Sequence, residues 1–321
     1  MINTCLFGDC KTSLDKIIQE GITAQTCITS PPYYGLRSYL DDDNPDKHLE
    51  VGLEHSPEEY IQNLVEVFRK VREVLSDDGT LWVNIGDSYY NYRPGNGAYA
   101  KQTIAKGRQD LPMVCAKRSI KMDGLKNKDL IGIPWMLAFA LRNDGWYLRQ
   151  DIIWSKPNPM PESVKDRCTK SHEYIFLLSK NKNYYFDSES IREDTNKSGG
   201  KPRPFGAKKQ EGTMRGDVGN TFTDSGKRQK RSVWTVNIKP YRGAHFATYP
   251  TELIQPCIIA STRPNDIVLD PFLGSGTTAL LSERLNRNWI GCELNEDYRV
   301  LQDERLGNTI LKKILEKNSQ V

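Results

Sequence analysis

Residues 267–280 read IVLDPFLGSGTTAL, an apolar strand that runs into a glycine-containing turn and then into a helix. Glycine lets the backbone approach a ligand closely, and a helix N-terminus offers unpaired N–H groups. In open α/β sheets, ligands bind beyond the carboxyl ends of the strands. The segment therefore predicts an α/β fold with a ligand site at Gly274 and Gly276. A purely structural turn is the alternative.

The residues around this turn narrow the class of ligand. Glu293 ends the next predicted strand, where a carboxylate can accept from both hydroxyls of a ribose. The stretch GSGTTA lacks the third glycine of GxGxxG, and no GxxxxGK[ST] occurs, which disfavours nicotinamide cofactors and nucleoside triphosphates. Asp270 would repel a pyrophosphate and attract a cationic amino-acid group. S-adenosylmethionine fits this pattern, because it has a ribose, an α-ammonium group and a sulfonium but no phosphate.

A second turn, Ser30-Pro31-Pro32-Tyr33, follows a short predicted strand near the start of the chain. Prolines lack N–H donors and force the preceding residue into extended geometry, so the Ser30 and Pro31 carbonyls are left to accept from a ligand. The Ser30 hydroxyl can accept as well, and Tyr33 offers a flat face on which a base can stack. The turn suits an exocyclic amine of a nucleic-acid base, with a rigid structural turn as the alternative.

Helices and strands alternate at both ends of the chain, as in a parallel sheet. The helix predicted over Pro57–Leu75 begins with a capping box, in which Ser56 is the N-cap and Glu59 follows three residues later. The other predicted helices are Ile133–Arg142, Tyr249–Ser261 and the segment SGTTALLSERL. The predicted strands are AQTCIT, LWVNIGD, YLRQDIIW, HEYIFLLSK, YYFD, NDIVLDPF and NWIGCEL, with HEYIFLLSK and YYFD as a pair late in the sheet.

The net charge of +4 is unevenly distributed. Residues 93–128 contain nine basic and two acidic side chains, and residues 192–231 contain eleven basic and five acidic ones. Both segments are polar and have no clear helical or strand period. They are either solvated loops or two arms that neutralise the backbone of a polyanion.

Several classes of protein are disfavoured by the sequence. The seven cysteines are scattered without a CxxC pair, and the four histidines have no metal-ligand spacing, so we predict neither a disulfide framework nor a metal site. No apolar run approaches the roughly 20 residues that cross a bilayer. The start, MINTCLFGDC, lacks an export signal. We expect a cytoplasmic protein that does not interact with a membrane.

The two turns resemble the signatures of the DNA amino-methyltransferases, the family that modifies exocyclic nitrogens of bases. The catalytic signature [DNS]-P-P-[YFW] is similar to Ser30–Tyr33, and the cofactor signature D-x-F-x-G-x-G-T-T is similar to Asp270–Thr278. The catalytic signature comes first, which resembles the β arrangement of the family, a circular permutation of the same sheet. The resemblance also covers LFGDC, with Asp9 near the cofactor adenine, and HFATYP (residues 245–250), which resembles the segment around the methionine end.

The resemblance implies a Rossmann-like methyltransferase fold, with a mostly parallel seven-stranded sheet, helices on both faces and inserted recognition loops. Residues 1–189 would form the catalytic half with a basic insertion at 90–129, residues 190–232 a target-recognition insertion, and residues 233–321 the cofactor-binding half. The implied catalytic residues are Ser30, Pro31, Pro32 and Tyr33. The implied cofactor-binding residues are Asp9, His245, Phe246, Asp270, Pro271, Phe272, Gly274, Ser275, Gly276, Thr277, Thr278, Glu293 and Leu294. The expected DNA-binding residues are Arg37, Lys117, Arg118, Lys121, Lys208, Lys209, Arg228 and Arg231.

The implied function is site-specific methylation of cytosine N4 in double-stranded DNA, by base flipping and direct in-line transfer from S-adenosylmethionine. Serine at the first signature position favours cytosine N4 in this family, and adenine N6 is the alternative. No cysteine nucleophile is needed, and we expect Cys257 to be a buried core thiol. A cognate restriction endonuclease and a second copy of the chain are the expected protein partners. The rival functions are a non-catalytic DNA-binding relative, methylation of RNA or of a protein amide, and a nicotinamide oxidoreductase.

Overall fold

The computed structural model describes residues 1–91, 121, 124–194, 226–238 and 249–307. The chain divides into two compact units, residues 1–186 with 232–321 and residues 187–231. The strands are β1 (Thr4–Phe7), β2 (Ala24–Thr29), β3 (Leu75–Ile85), β4 (Tyr147–Ser155), β5 (His172–Ser179), β6 (Glu193–Asp194), β7 (Lys227–Arg228), β8 (Val233–Thr235), β9 (Ile267–Asp270) and β10 (Asn288–Glu293). The helices are α1 (Cys10–Gln19), α2 (Pro57–Val74), α3 (Ile133–Asn143), α4 (Thr251–Ser261) and α5 (Thr277–Arg284), with a short 3₁₀ turn at Pro45–Leu49.

The larger unit is built on an eight-stranded sheet with the order β1-β10-β9-β2-β3-β5-β4-β8. Every neighbouring pair is parallel except those of β5, which runs antiparallel to β3 and β4. The predicted mostly parallel α/β sheet is therefore confirmed. It contains one strand more than the seven expected, because the short segment β8 pairs with the edge of β4.

Helices cover both faces of this sheet. Helices α1, α2 and α3 pack with alternate sheet residues, including Leu81 and Val83, into one core cluster. Helix α4 and Leu281 of α5 form a second cluster on the opposite face with Trp82 and Val268. The alternation of Leu81, Trp82 and Val83 between the two clusters follows from the period of two in a strand. This arrangement explains why β3 is apolar on both faces.

Most predicted elements are present, with shifted boundaries. The Ser56 hydroxyl caps α2 by accepting from the Glu59 N–H at 3.1 Å, as the capping box predicts. Cys257 is fully buried in α4, as expected. The predicted strand at Tyr184–Asp187 is wrong, because those residues form no ladder. Instead the ring of Phe186 stacks on Trp82 with centroids 6.4 Å apart, so the segment covers the second core cluster.

The first 23 residues supply two elements that the sequence pattern did not predict. Strand β1 pairs with β10 at one edge of the sheet, with Phe7 opposite Glu293. The Asp9 side chain caps α1 by accepting from the Thr12 N–H at 2.9 Å. Strand β1 has four residues and α1 has ten, so neither repeats its hydrophobic period often enough to be recognised. Within the described residues, no helix is both long and apolar enough to span a bilayer.

The described part of the smaller unit contains one short antiparallel ribbon. Strands β6 and β7 pair Glu193 with Arg228. The Glu193 carboxylate accepts from the side chains of Arg228 at 3.0 Å and Arg231 at 2.7 Å. These two guanidinium groups lower the pKa of Glu193 despite the opposing effect of desolvation.

Candidate functional site

One cavity is lined by residues of both sequence turns. It encloses about 980 Å³ of space, part of it open to solvent. Ser30 and Pro32 of the proline turn line it together with Gly274 and Ser275 of the glycine turn. The other lining residues are Asp9, Cys10, Tyr39, Leu49, Glu50, Val51, Tyr249, Pro271, Phe272, Leu273, Thr277, Glu293, Leu294 and Tyr298. A cleft of this size can hold a ligand as large as a nucleoside cofactor.

The sheet order explains why the two turns meet. Strands β2 and β9 are parallel neighbours, with Thr26 opposite Val268 and Cys27 opposite Leu269. Strand β2 ends at Thr29 and β9 ends at Asp270, so the turns that follow leave the same edge of the sheet. The Thr29 hydroxyl donates to Asp270 at 2.6 Å and connects the two strand ends directly.

Asp270 contacts the protein with both carboxylate oxygens. One oxygen accepts from the Thr29 hydroxyl and from the Phe272 N–H at 3.1 Å. The other accepts from the hydroxyls of Thr278 at 2.6 Å and Tyr249 at 3.2 Å. Burial raises the pKa of Asp270 to about 6, although these hydrogen bonds act in the opposite direction. The side chain is 1% exposed and does not line the cavity, which favours a positioning role over the direct contact with an ammonium group that we expected.

Glu293 lines the cavity at the end of β10. Its two oxygens accept from the Gly274 N–H at 2.8 Å and the Asn295 N–H at 2.9 Å. Burial raises its pKa to about 7. An ionised carboxylate has about four lone-pair positions, so two hydrogen bonds leave capacity for a ligand with hydroxyl donors. This position matches the ribose contact expected from the sequence.

The glycine turn presents one polar atom that the protein does not satisfy. The Ser275 hydroxyl is buried, lines the cavity and has no hydrogen-bond partner among the described residues. Gly274 and Gly276 have φ values of +54° and +85°, which residues with a Cβ rarely adopt. A buried hydroxyl without a partner is costly unless a ligand or water satisfies it. The site is therefore built to accept a polar group at Ser275.

A loop of residues 38–54, the lining loop, contributes cavity residues that the sequence analysis did not identify. Tyr39, Leu49, Glu50 and Val51 line the cavity from this loop. The buried Glu50 carboxylate accepts from the Tyr39 N–H at 2.6 Å and pairs with Lys47 at 3.3 Å. The Tyr39 carbonyl in turn accepts from the Asn295 side chain at 2.9 Å. Polar residues without a period gave no signal for this wall, since its structure depends on long-range contacts.

Tyr33 lies against the backbone of Gly86, which follows β3. A Cβ on Gly86 would lie 2.7 Å from a ring carbon of Tyr33, so only glycine fits there without displacing the ring. The Tyr33 hydroxyl donates to Glu173 at 2.6 Å, and the Ser30 side chain also hydrogen bonds to Tyr33. The Pro32 carbonyl accepts from Tyr60 at 2.7 Å. Glu173, at the start of β5, is a site residue that the sequence analysis did not single out.

The remaining predicted site residues have the following positions. Thr278 contacts Asp270 and does not line the cavity, and Gly276 is the N-cap of α5. Pro31 is buried, and Arg37 and Lys121 are exposed. Arg228 and Arg231 contact Glu193 in the smaller unit. The predicted residues His245, Phe246, Lys117, Arg118, Lys208 and Lys209 lie outside the described residues.

Comparisons with known proteins agree on one family. A family model described as DNA methylase matches residues 24–302. The Type II methyltransferase M.Cfr9I of Citrobacter freundii is 47% identical over 306 residues, covering 94% of this chain and 87% of that protein. The Type II methyltransferase M.SmaI of Serratia marcescens is 47% identical over 301 residues, covering 94% of this chain and 89% of that protein.

Solved structures of similar fold belong to the same class. A structure titled PvuII DNA methyltransferase (cytosine-N4-specific) matches 94% of this chain and 85% of its own, with a TM-score of 0.59 and 18% identity. A structure titled as a DNA modification methylase from Thermus thermophilus, complexed with S-adenosyl-L-methionine, matches 94% and 93% with a TM-score of 0.54 and 19% identity. At these identities the likeness concerns the fold.

Proposed function

The chain belongs to the DNA methylase family, and on that premise we propose that it transfers a methyl group from S-adenosylmethionine to the exocyclic N4 of a cytosine within a specific sequence of double-stranded DNA. The observation that carries the proposal is the single cavity lined by Ser30 and Pro32 on one side and by Gly274, Ser275 and Glu293 on the other. An acceptor turn for an amine and a pocket for a nucleoside cofactor then belong to one cleft.

The residues of the glycine turn fit this cofactor. The Glu293 carboxylate would accept from the ribose hydroxyls, and the unpartnered Ser275 hydroxyl would bind a further polar group of the cofactor. Pro271, Phe272 and Leu294 provide apolar lining for an adenine ring. Asp9 lines the same cavity. The cofactor supplies an electrophilic methyl group on a positively charged sulfur, so the protein needs to supply orientation and acceptors.

The proline turn would orient the amine. The Pro32 carbonyl already accepts from Tyr60, so the Ser30 hydroxyl and the Pro31 carbonyl are the acceptors assigned to the amine. Hydrogen bonds from the N–H groups to these oxygens draw the nitrogen lone pair out of ring conjugation and direct it toward the methyl carbon. Preorganised acceptors of this kind lower the barrier because they do not reorganise during reaction. Tyr33 would stack on the flipped base.

The choice of cytosine over adenine rests on Ser30. In the resembled family, serine at this position favours cytosine N4 and aspartate favours adenine N6. Both amines can donate to a serine hydroxyl, so adenine N6 is the alternative outcome of the experiment below. The printed names of the two 47% identical relatives state Type II methyltransferase, which supports modification of DNA as part of a restriction–modification system.

We also propose that the two basic segments bind DNA. Residues 90–129 and 190–232 would neutralise phosphates and contact bases in the target site, while residues 1–189 and 233–321 together form the catalytic and cofactor-binding halves. Within the second segment, Arg228 and Arg231 share one carboxylate, Glu193, so the cluster carries net positive charge.

The test is to treat unmethylated plasmid DNA with the purified protein and labelled S-adenosylmethionine, digest the DNA to nucleosides and identify the product by mass spectrometry. We expect N4-methylcytosine, and N6-methyladenine would replace the proposed base specificity. Ser30→Ala should abolish labelling, while Thr26→Val, on the preceding strand and outside the cavity lining, should retain it. DNA binding without labelling, or preferential labelling of RNA or protein, would overturn the function.

A further inference from the structure

A polar cluster adjoins the proline turn through Tyr33. Its centre is Glu173, which accepts from the Tyr33 hydroxyl at 2.6 Å and from the Asn84 side chain at 3.3 Å. The other Glu173 oxygen contacts the ammonium group of Lys156. The side chains of Lys156 and Glu173 are 13% and 16% exposed, so this ion pair is largely shielded from solvent.

The hydrogen bonds of the cluster share one direction. Ser30 donates to the Tyr33 hydroxyl, which lowers the pKa of Tyr33, and Tyr33 donates to Glu173, which raises it. Burial and the Glu173 charge together hold the pKa of Tyr33 well above its usual value of 10. Tyr33 therefore stays a neutral hydroxyl at physiological pH. A continuous donor chain runs from Ser30, through Tyr33, to a carboxylate.

Stacking alone does not account for this chain. The resembled signature accepts phenylalanine or tryptophan at the position of Tyr33, and a base can stack on any of these rings. The hydroxyl of Tyr33 and its carboxylate partner are thus an addition to the stacking role in this protein. The positive charge of Lys156 favours the ionised form of Glu173, which makes it an acceptor for a proton.

We propose that Glu173, acting through Tyr33 and Ser30, takes up the proton that the target amine loses when it is methylated. The inference rests on the proposed function. The amine nitrogen forms a bond to the methyl carbon, and the carbon–sulfur bond breaks with its electron pair left on sulfur. The N–H proton moves to Ser30 as the Ser30 proton moves to Tyr33 and the Tyr33 proton moves to Glu173. Ser30 and Tyr33 end as neutral hydroxyls, and Glu173 ends as a neutral carboxylic acid.

Other charged groups surround this acceptor. Lys156 belongs to the segment after β4, and Lys170 and His172 lie before and at the start of β5. Desolvation lowers the pKa values of Lys170 and His172, and Glu173 acts on both in the opposite direction. Hydrogen-bond chains that end in a charge strengthen each member, so the ionised Glu173 also makes Ser30 a better acceptor for the amine. Glu173 is accordingly a positioning residue with a proton-accepting role.

The experiment measures single-turnover methyl transfer by Glu173→Gln, Tyr33→Phe and the double variant. Glutamine can still accept from Tyr33 but does not take up a proton at neutral pH, and phenylalanine keeps the stacking surface. We expect each single variant to be at least tenfold slower, since proton transfer by a positioned group typically contributes roughly 100-fold or more. The double variant should be no more than about threefold slower than the slower single variant, because both changes break one chain. The affinities for cofactor and DNA should change less than about twofold.

A pH profile separates proton uptake from simple packing. The wild-type rate should fall at acid pH as Glu173 becomes protonated, and Glu173→Gln should lack this acid limb. Tyr34→Phe and Glu66→Gln are matched controls that change a neighbouring tyrosine and a surface carboxylate, and they should keep the wild-type rate.

Unchanged rates in the single variants, or effects that multiply in the double variant, would overturn the inference while leaving the proposed function intact. If Glu173→Gln does not fold, Tyr33→Phe alone carries the test, because it leaves the Glu173–Lys156 pair in place. A wild-type protein that methylates no DNA would overturn the proposed function and this inference with it.

Discussion

The Thr29 hydroxyl donates a 2.6 Å hydrogen bond to the carboxylate of Asp270, although the two residues are 241 positions apart in the chain. Thr29 immediately precedes the proline turn, and Asp270 immediately precedes the glycine turn. The bond therefore fixes the distance between the acceptors for the amine and the pocket for the methyl donor. In-line transfer is sensitive to this distance, because misplacement by about 1 Å can cost roughly 100-fold in rate.

Thr29→Val should damage this alignment with little change in side-chain volume. The variant leaves one oxygen of the buried Asp270 with the Phe272 N–H as its remaining donor. We expect a loss of about 1–3 kcal/mol in the free energy of unfolding and a fall in methyl transfer that exceeds the fall in cofactor affinity. Urea denaturation and single-turnover kinetics provide the measurements.

Thr26→Val is the matched control, because Thr26 donates to the Thr80 carbonyl at 3.1 Å on the same strand but away from the cavity. It should destabilise the protein by a similar amount and retain activity. Equal losses of activity in the two variants would contradict the role assigned to the Thr29–Asp270 bond.

Glu293 should make cofactor binding depend on pH. Its pKa is raised from 4.5 to about 7, so the folded protein holds this proton more tightly than the unfolded chain does. The stability that follows from protonated Glu293 is present below pH 4.5 and is lost as the pH rises through 7, by about 3 kcal/mol in total. Asp270, with a pKa of about 6, acts in the same direction.

Ribose hydroxyls donate to the ionised carboxylate, so cofactor affinity should increase by about tenfold between pH 6 and pH 8. Calorimetry in buffers of different ionisation enthalpy should detect proton release on binding. Glu293→Gln should bind more weakly, and the Glu293 contribution to the pH dependence should disappear. A wild-type affinity that does not change across this range would argue against a ribose contact at Glu293.

Gly86→Ala should displace Tyr33. The new Cβ would lie 2.7 Å from a ring carbon, closer than real Cβ contacts, so the ring must move away from its position beside Ser30 and Glu173. We expect methyl transfer to fall by about tenfold or more while cofactor affinity stays within about twofold. Combining Gly86→Ala with Tyr33→Ala should then add little to the loss caused by Tyr33→Ala, and a fully multiplicative loss would show that Gly86 acts elsewhere.

The arginines of the smaller unit should contribute to the salt dependence of DNA binding. If Arg228 and Arg231 each neutralise one phosphate, replacing both by alanine should reduce the slope of log K against log salt by about 1.8. Fluorescence anisotropy with a duplex at several salt concentrations measures this slope. Arg284→Ala, on helix α5, is the control, and it should leave the slope unchanged. An unaltered slope in the double variant would remove these arginines from the DNA interface.

The elements next to the site could be predicted because each has a strong local signal. Helix α2 combines a capping box with an apolar face, and β9 combines a short apolar run with a glycine turn. The meeting of Ser30 and Gly274 followed from a family signature and from the rule that ligands bind at strand ends. Sequence alone therefore identified the two sides of the cavity.

The remaining parts of the site depend on contacts between distant residues. Glu173 lies 140 positions from Tyr33, and no local pattern indicates that their side chains meet. Glu50 has its role because it accepts from backbone N–H groups of the lining loop, which is invisible in a period or a propensity. Asp270 was assigned to the ligand by its charge, whereas the hydroxyls of Thr29, Thr278 and Tyr249 occupy it. Charge and spacing identify a carboxylate, but the direction it faces is decided by its neighbours.

The place of β2 in the sheet has a consequence for biosynthesis. Its two neighbours are β3, which follows it closely, and β9, which is translated much later. At the usual ~5–20 residues per second, the 241 residues between Thr29 and Asp270 take roughly 12–50 s to emerge from the ribosome. During that time β2 has one open edge, the kind of surface on which chains aggregate. A growing chain thus acquires its cleft only near the end of translation, and chaperones that shield that edge should raise the yield of active protein.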